Sequence, residues 1–133
     1  LIEPTARKAR IEIRMQIPEQ VCQVRGGPDQ LKQVFLNIMM NGVQAMPAGG
    51  CLRTTVSVCE SSLSKQRWRV EIADTGVGIA DENLEKVFDP FFTTKIDGTG
   101  LGLSICYAIL QELEGEIEVN STVGQGTRVV VRL

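Results

Sequence analysis

Two asparagines, Asn37 and Asn41, stand one helical turn apart in the apolar run "VFLNIMMNGVQAM". Side chains at i and i+4 share a helix face, and Leu36, Ile38 and Met39 make that helix largely buried. A buried carboxamide finds a partner or loses about 1–3 kcal/mol. Neighbouring backbone could satisfy either residue singly. Two at this spacing suit a hydrated magnesium, which takes oxygen ligands and is held by few protein groups plus nucleotide phosphates. A second candidate is Asp74 in "DTGVGI", a carboxylate ending a strand. It could accept hydrogen bonds from an exocyclic amine at the bottom of an apolar pocket, with Ile79 against the flat ring. Taken alone, Asp-Thr-Gly is also simply a good turn. The third candidate is "DGTGLGLS", where Gly98, Gly100 and Gly102 precede a helix. Glycines there let backbone N–H groups approach a phosphate at the positive end of a helix dipole, although such a run also makes ordinary turns.

Other chemistries are excluded by inspection. The pattern G-x-x-x-x-G-K-[ST] is absent, and "GTGLGL" has its third glycine one residue too early for the dinucleotide fingerprint and follows no strand. Cys22, Cys51, Cys59 and Cys106 show no C-x-x-C spacing, and the chain contains 0 histidines to complete a zinc set. They are expected to be reduced, buried, small apolar residues of a cytosolic protein. A net charge of -2 supplies no general basic field for nucleic acid or an anionic membrane. The uncharged stretch from Gln33 to Leu52 is broken by Asn37, Asn41, Gln44, Pro47 and a Gly-Gly pair, so it could not span a bilayer. With 133 residues, 43% hydrophobic and 23% charged, the chain suits one globular domain. Beginning at Leu1 with no leader, it reads as a domain cut from a longer protein.

The elements that must position these groups are set by periodicity. Ile2, Ala6 and Ala9 suit a short helix; Ile11, Ile13, Met15 and Ile17 alternate as a strand that Pro18 ends. A short extended piece is expected over Val21 to Val24. Pro28 or Asp29 starts the asparagine helix, whose Leu31, Val34, Phe35, Ile38, Met39 and Val43 recur at three and four residues until "MPAGG" breaks it. Strands are expected over Cys51 to Cys59 and Trp68 to Ala73, with "ESSLSKQR" as their hairpin loop. The segment from Asp74 to Gly100 is irregular apart from a helical stretch near Asp81 to Val87, and loops of that length are usually functional. Leu101 to Leu113 is helical with Gly115 as its stop, and Ile117 to Val119 and Thr127 to Leu133 form a hairpin turning at "VGQG". The order predicts an α+β fold with helices packed on one face of a largely antiparallel sheet.

Taken in order, "NIMMN", "DTGVGI", "FDPFFTTK", "GTGLGL" and "GQGT" resemble the catalytic ATP-binding domain of sensor histidine kinases, in the superfamily that includes gyrase, Hsp90 and MutL. The resemblance covers nearly the whole chain. It implies the two-layer α/β sandwich called the Bergerat fold, a mixed sheet under three helices, binding ATP and Mg2+. By position it implies that Asn41 ligates magnesium, with Asn37 as its supporting neighbour, and that Asp74 reads adenine. Gly76, Gly78 and Ile79 would wall the base, and Thr127 would assist Asp74 through water. Gly98, Thr99, Gly100, Leu101, Gly102 and Leu103 would lie along the phosphates. Phe88, Pro90, Phe91, Phe92, Thr94 and Lys95 would form a lid. Only Ile96 and Asp97 separate Lys95 from Gly98, so the lid should be short, as in nitrogen-regulation-type kinases. Gln44, in the nucleotide-contacting set, stands where many members carry a basic residue, and Gly42 where many carry alanine.

The reaction implied by the resemblance is phosphoryl transfer, with Asn37, Asn41 and Lys95 as the catalytic set. Without a histidine the chain cannot be its own acceptor. The resemblance therefore implies a histidine on a helical dimerisation domain preceding Leu1, a response regulator receiver domain downstream, a monomeric isolated domain from a homodimeric parent, and a cytoplasmic location, with membrane anchoring of the parent left open. Two alternatives stand beside it. A gyrase-type ATPase would need a glutamate base where this chain has Asn37, and a carboxamide is no base. A nucleotide-sensing module would bind ATP without transfer.

Overall fold

A computed structural model describes residues 2–20, 22–24, 26–60, 66–95 and 98–133. Its elements run α1 (Glu3–Lys8), β1 (Ile11–Gln16), α2 (Pro28–Gln44), β2 (Gly50–Glu60), β3 (Gln66–Asp74), α3 (Asp81–Leu84), α4 (Gly102–Glu112), β4 (Glu116–Thr122) and β5 (Gly126–Arg132). The strands form one sheet in the order β1-β2-β3-β5-β4. Among the described residues only β1 and β2 pair in parallel. Parallel neighbours need a long crossover, and the stretch carrying α2 supplies it. The other pairs are antiparallel, so the sheet is mixed and mostly antiparallel, as expected.

Alternation along the strands decides which face is covered. Leu52, Ile72, Val129 and Val131 meet Val34 and Ile38 of α2 and Cys106 and Leu110 of α4 in one core, to which α1 adds Ile2 and Ala6. α1 tolerates Pro4 because the N–H groups of a first turn need no intrahelical partner. The opposite face of the sheet carries ion pairs, among them Arg67 with Glu116, Arg69 with Glu71 and Arg132 with Glu118. Register sets Val130 between Glu71 and Glu118, and Val130 is buried among these long side chains.

The structure corrects two expectations. Residues 22–24 form no strand, and Val21 lies outside the described residues. An apolar dipeptide step without a neighbouring strand has nothing to hold it extended. Of the cysteines, all free, only Cys106 is buried; Cys51 and Cys59 are half-buried on the ion-pair face and Cys22 is exposed. Gly115 does stand at the stop of α4, where Glu114 takes the left-handed conformation with φ 56. The Gly115 N–H closes the end on Leu110 O at 2.8 Å, in the pattern of a Schellman cap. A Cβ at Gly115 would come within 2.9 Å of Arg132 O, so glycine serves the close approach to β5. The "ESSLSKQR" loop falls mostly on residues 61–65, outside those described, while its flanks converge at Glu60 opposite Gln66.

Candidate functional site

The site residues gather where the C-terminal half of α2, the end of β3 and the start of α4 meet. Asn37, Asn41 and Gln44 lie along one stripe of α2, beside the core-facing Val34 and Ile38. Gly42, on the sheet side, allows close approach: a Cβ there would lie 2.7 Å from Leu52 Cδ1 and 3.4 Å from Asp74 Cβ. The helix therefore runs directly over the aspartate.

Asp74 ends β3, and its Oδ1 accepts from the N–H of Gly76 at 2.8 Å and of Thr127 at 3.2 Å. The first contact is the local turn that Asp-Thr-Gly favours; the second ties the aspartate to the start of β5. Burial pushes its carboxyl above the usual range, against those two N–H groups and the charge of Lys95. Thr127 thus reaches Asp74 directly through its backbone. Its hydroxyl lies 2.8 Å from Ser121 Oγ.

Ser121 is the site residue that the sequence did not point to. Its Oγ accepts from Ile79 N–H at 2.7 Å and bonds Gly126 O at 2.9 Å, so one hydroxyl joins the glycine loop after Asp74 to the β4–β5 hairpin. The signal was its place opposite Thr127 in the hairpin, but the strand was expected to stop at Val119. Asp74, Ser121, Thr127, Leu84 and Gln125 line an open cavity of about 390 Å³.

The loop after Asp74 hooks onto the end of α2, where Val77 N–H donates to Ala45 O at 3.0 Å. A Cβ on Gly76 would sit 2.4 Å from that same oxygen. Gly78 packs against the Thr122 carbonyl. These two glycines therefore let backbone meet backbone where the loop docks on α2 and on the end of β4.

On the other side, Asn37 Nδ2 donates to Gly102 O at 3.3 Å and Cys106 Sγ to Val34 O at 3.5 Å, two links from α2 to α4. Burial pushes the Cys106 thiol up to about 11, against hydrogen bonding from the Asn37 side chain. Leu101 precedes α4 and accepts from Ser104 Oγ at 2.9 Å, while Thr99 Oγ1 accepts from Leu101 N–H at 3.4 Å. Among the described residues, a Cβ on Gly102 would meet only Asn41 Nδ2, at 3.8 Å, so the start of α4 opens toward Asn41. Leu103 packs against the core, away from that opening.

The segment from Phe88 to Lys95 lies across this end. Phe88 stacks tilted on Tyr107 of α4 with ring centroids 5.6 Å apart. Phe91 is 75% exposed with φ 66. Phe92 is half-buried with its N–H on Asp89 O, and Thr94 is exposed. Gly100, with φ 68, has no room for a Cβ, which would stand 2.3 Å from the Phe91 carbonyl carbon; this glycine seats the segment. Gly98 N–H closes a turn on Lys95 O at 3.2 Å. Ile96 and Asp97 lie outside the described residues. Lys95 Nζ donates to Asn41 Oδ1 at 3.1 Å and Gln44 Oε1 at 2.6 Å. Burial pushes its ammonium below the usual lysine range, and the Asp74 charge opposes that shift.

Among the described residues no three His, Cys, Asp or Glu side chains converge as a metal cage. A magnesium ion held partly by phosphates needs fewer protein ligands. Asn41 Oδ1 fits that role, since it already faces a cation, the Lys95 ammonium.

Residues 26–133 match the model of the histidine kinase-, DNA gyrase B-, and HSP90-like ATPase family. The chain is 35% identical to sporulation kinase E of Bacillus subtilis over 96% of its length, which is 17% of that relative. It is 34% identical to the sensor histidine kinase ZraS of Escherichia coli O157:H7 over 100% of its length and 28% of that protein. The chain thus spans under a third of these relatives. Full-length ShkA in complex with AMPPNP superposes with a TM-score of 0.84 over 98% of this chain and 27% of that one, at 29% identity. The catalytic domain of the histidine kinase ThkA does so at 0.82 over 99% of this chain and 84% of that one, at 30% identity. With its mixed sheet, its site and these relatives, the chain belongs to the histidine kinase-, gyrase B- and HSP90-like ATPase family, as the catalytic ATP-binding domain of a sensor histidine kinase.

Proposed function

We propose that this chain is one domain of a longer sensor kinase, binds Mg-ATP, and transfers the γ-phosphoryl group to a histidine on a separate helical dimerisation domain. The observation that carries this reading is the convergence of Asp74, Asn41 and Lys95 at one end of the sheet, beside the glycine-bounded start of α4. Asp74 Oδ2 would accept from the adenine amine, its Oδ1 being fixed by two backbone N–H groups. Asn41 Oδ1 would hold magnesium, which supplies charge neutralisation to the phosphates when bound. Lys95 would meet the γ-phosphoryl charge, and Gly98, Gly100 and Gly102 would let backbone approach the phosphates.

The transfer forms a bond from the acceptor histidine nitrogen to the γ-phosphorus while the bond to the β–γ bridging oxygen breaks, ADP leaving with that electron pair. This protein's share is positioning. Asn37 spends its amide on Gly102 O and offers no basic atom for activating water, which favours transfer over hydrolysis. Exposed Phe91 and Tyr107 provide apolar surface near the lid for gripping the acceptor domain. A response regulator receiver aspartate would take the phosphoryl group next, in the cytoplasm, with the parent acting as a homodimer.

The test supplies labelled ATP and this domain to candidate helical domains with and without their histidine. Label is expected only on the histidine-bearing partner. Fast hydrolysis by the domain alone would favour the ATPase alternative, and tight Mg-ATP binding without transfer to any acceptor would favour a nucleotide-sensing module. Asn41→Ala should lose magnesium-dependent transfer yet keep metal-free ADP binding, whereas Asp74→Asn should lose both.

A further inference from the structure

Gln44 lies one turn beyond Asn41 on α2, and its Oε1 makes the shorter of the two hydrogen bonds that fix Lys95 Nζ, 2.6 Å against 3.1 Å to Asn41 Oδ1. The two contacts are not equivalent once a nucleotide is considered. An ammonium carries three donors and no acceptor, so two are spent on α2. A divalent cation on Asn41 Oδ1 would repel the ammonium from that oxygen. Gln44 Oε1 would then be the acceptor that keeps Lys95 at α2, with two donors turned to phosphate oxygens. A neutral acceptor suits this task. It holds a cation without setting negative charge beside the phosphates, and it carries no positive charge to drive Lys95 away.

The lid's own anchoring leaves this contact prominent. Among the described residues, the main-chain hydrogen bonds of the 91–95 segment are local, with Phe92 N–H on Asp89 O, Lys95 N–H on Thr93 Oγ1 and Gly98 N–H on Lys95 O. Gly100 presses on the main chain at Phe91. Among the described residues, the two Lys95 bonds are the lid's side-chain hydrogen bonds to α2. We propose that Gln44 is a positioning residue that acts through Lys95, holding the lid ammonium at α2 so that it meets the phosphates when the metal takes Asn41. This role rests on the reading of the site as one for Mg-ATP.

The test uses the whole 133-residue chain with Gln44→Met, which keeps the length of the side chain and removes the acceptor. Gln44→Glu keeps the acceptor, and Lys95→Met is made alone and combined with Gln44→Met. Amide hydrogen exchange without nucleotide reads the contact itself. Exchange at Phe92, Lys95 and Gly98 should speed about threefold or more in Gln44→Met and stay near wild type in Gln44→Glu. Mg-ATP affinity reads the consequence. Gln44→Met should weaken it about fivefold, the order of one charge-assisted hydrogen bond, and add nothing on top of Lys95→Met. Unchanged exchange in Gln44→Met, or an equal further loss of affinity in the Lys95→Met background, would overturn the proposal. If the wild-type chain bound no Mg-ATP, the function reading would fall, while the exchange result would still decide the lid contact.

Discussion

Asp74 is held by two backbone N–H groups yet sits where burial outweighs them, so its folded pKa is raised. A group of this kind favours folding when protonated: that contribution is full below the ordinary carboxylate range and is lost as pH rises through the raised folded value. Ionised Asp74 is therefore a stability cost, one that the proposed role in reading adenine would account for. Asp74→Asn retains an oxygen for Gly76 and Thr127 and carries no charge to desolvate. Its melting temperature should exceed that of the wild type at about pH 7, and the gap should shrink toward about pH 4. Adenine nucleotide affinity should fall about tenfold or more, as for a hydrogen bond to a charged group. Melts at both pH values with nucleotide titration check this; a destabilised variant with intact affinity would contradict it. At this scale the sequence showed Asn41, Asp74 and the glycines because type and spacing are local. Ser121 and the Gln44–Lys95 pair were not legible, being contacts across 42 and 51 residues.

Thr54 shows how an element can carry a polar group that it does not use. It lies mid-strand in β2, in register with Met15 and Ile72, and is 5% exposed. Its hydroxyl has no hydrogen-bond partner among the described residues. Thr54→Val keeps the branched shape that strands favour and removes an unpaired buried oxygen. The variant should be more stable by about 0.5–2 kcal/mol with nucleotide binding unchanged, read by denaturant unfolding. A loss of stability would mean that the hydroxyl has a partner. Elements were legible wherever many residues repeat one pattern, as in α2, where Val34, Phe35, Ile38, Met39 and Val43 recur on the core side. They were not legible at residues 22–24, which form no strand, nor at the ends of β4, which runs from Glu116 to Thr122.

For the molecule as a whole, the first 25 residues matter although the family model begins at residue 26. Ile2, Ala6 and Ile11 belong to the same core as Val34 and Leu110, and β1 covers the edge of β2 over six paired positions. A chain of residues 26–133 would bare that edge and open the core beneath α1. Exposed edges template further pairing, so the truncated chain should lose its cooperative melt and self-associate in light scattering. A monomeric truncation with a wild-type melt would show that α1 and β1 are accessory.

The sequence by itself determined the composition class, the main helices and strands, and the residue types of the site, since each of these is written in local pattern. It also determined that the chain has no histidine to phosphorylate. Only the tertiary structure decided the strand order, with β5 inserted between β3 and β4, because pairing depends on long-range register rather than on periodicity. It alone decided that Thr127 reaches Asp74 through its backbone, that Asn37 is tied to α4, and that Lys95 lies against Gln44. Those are distances between residues far apart in the chain, set by how the helices seat on the sheet.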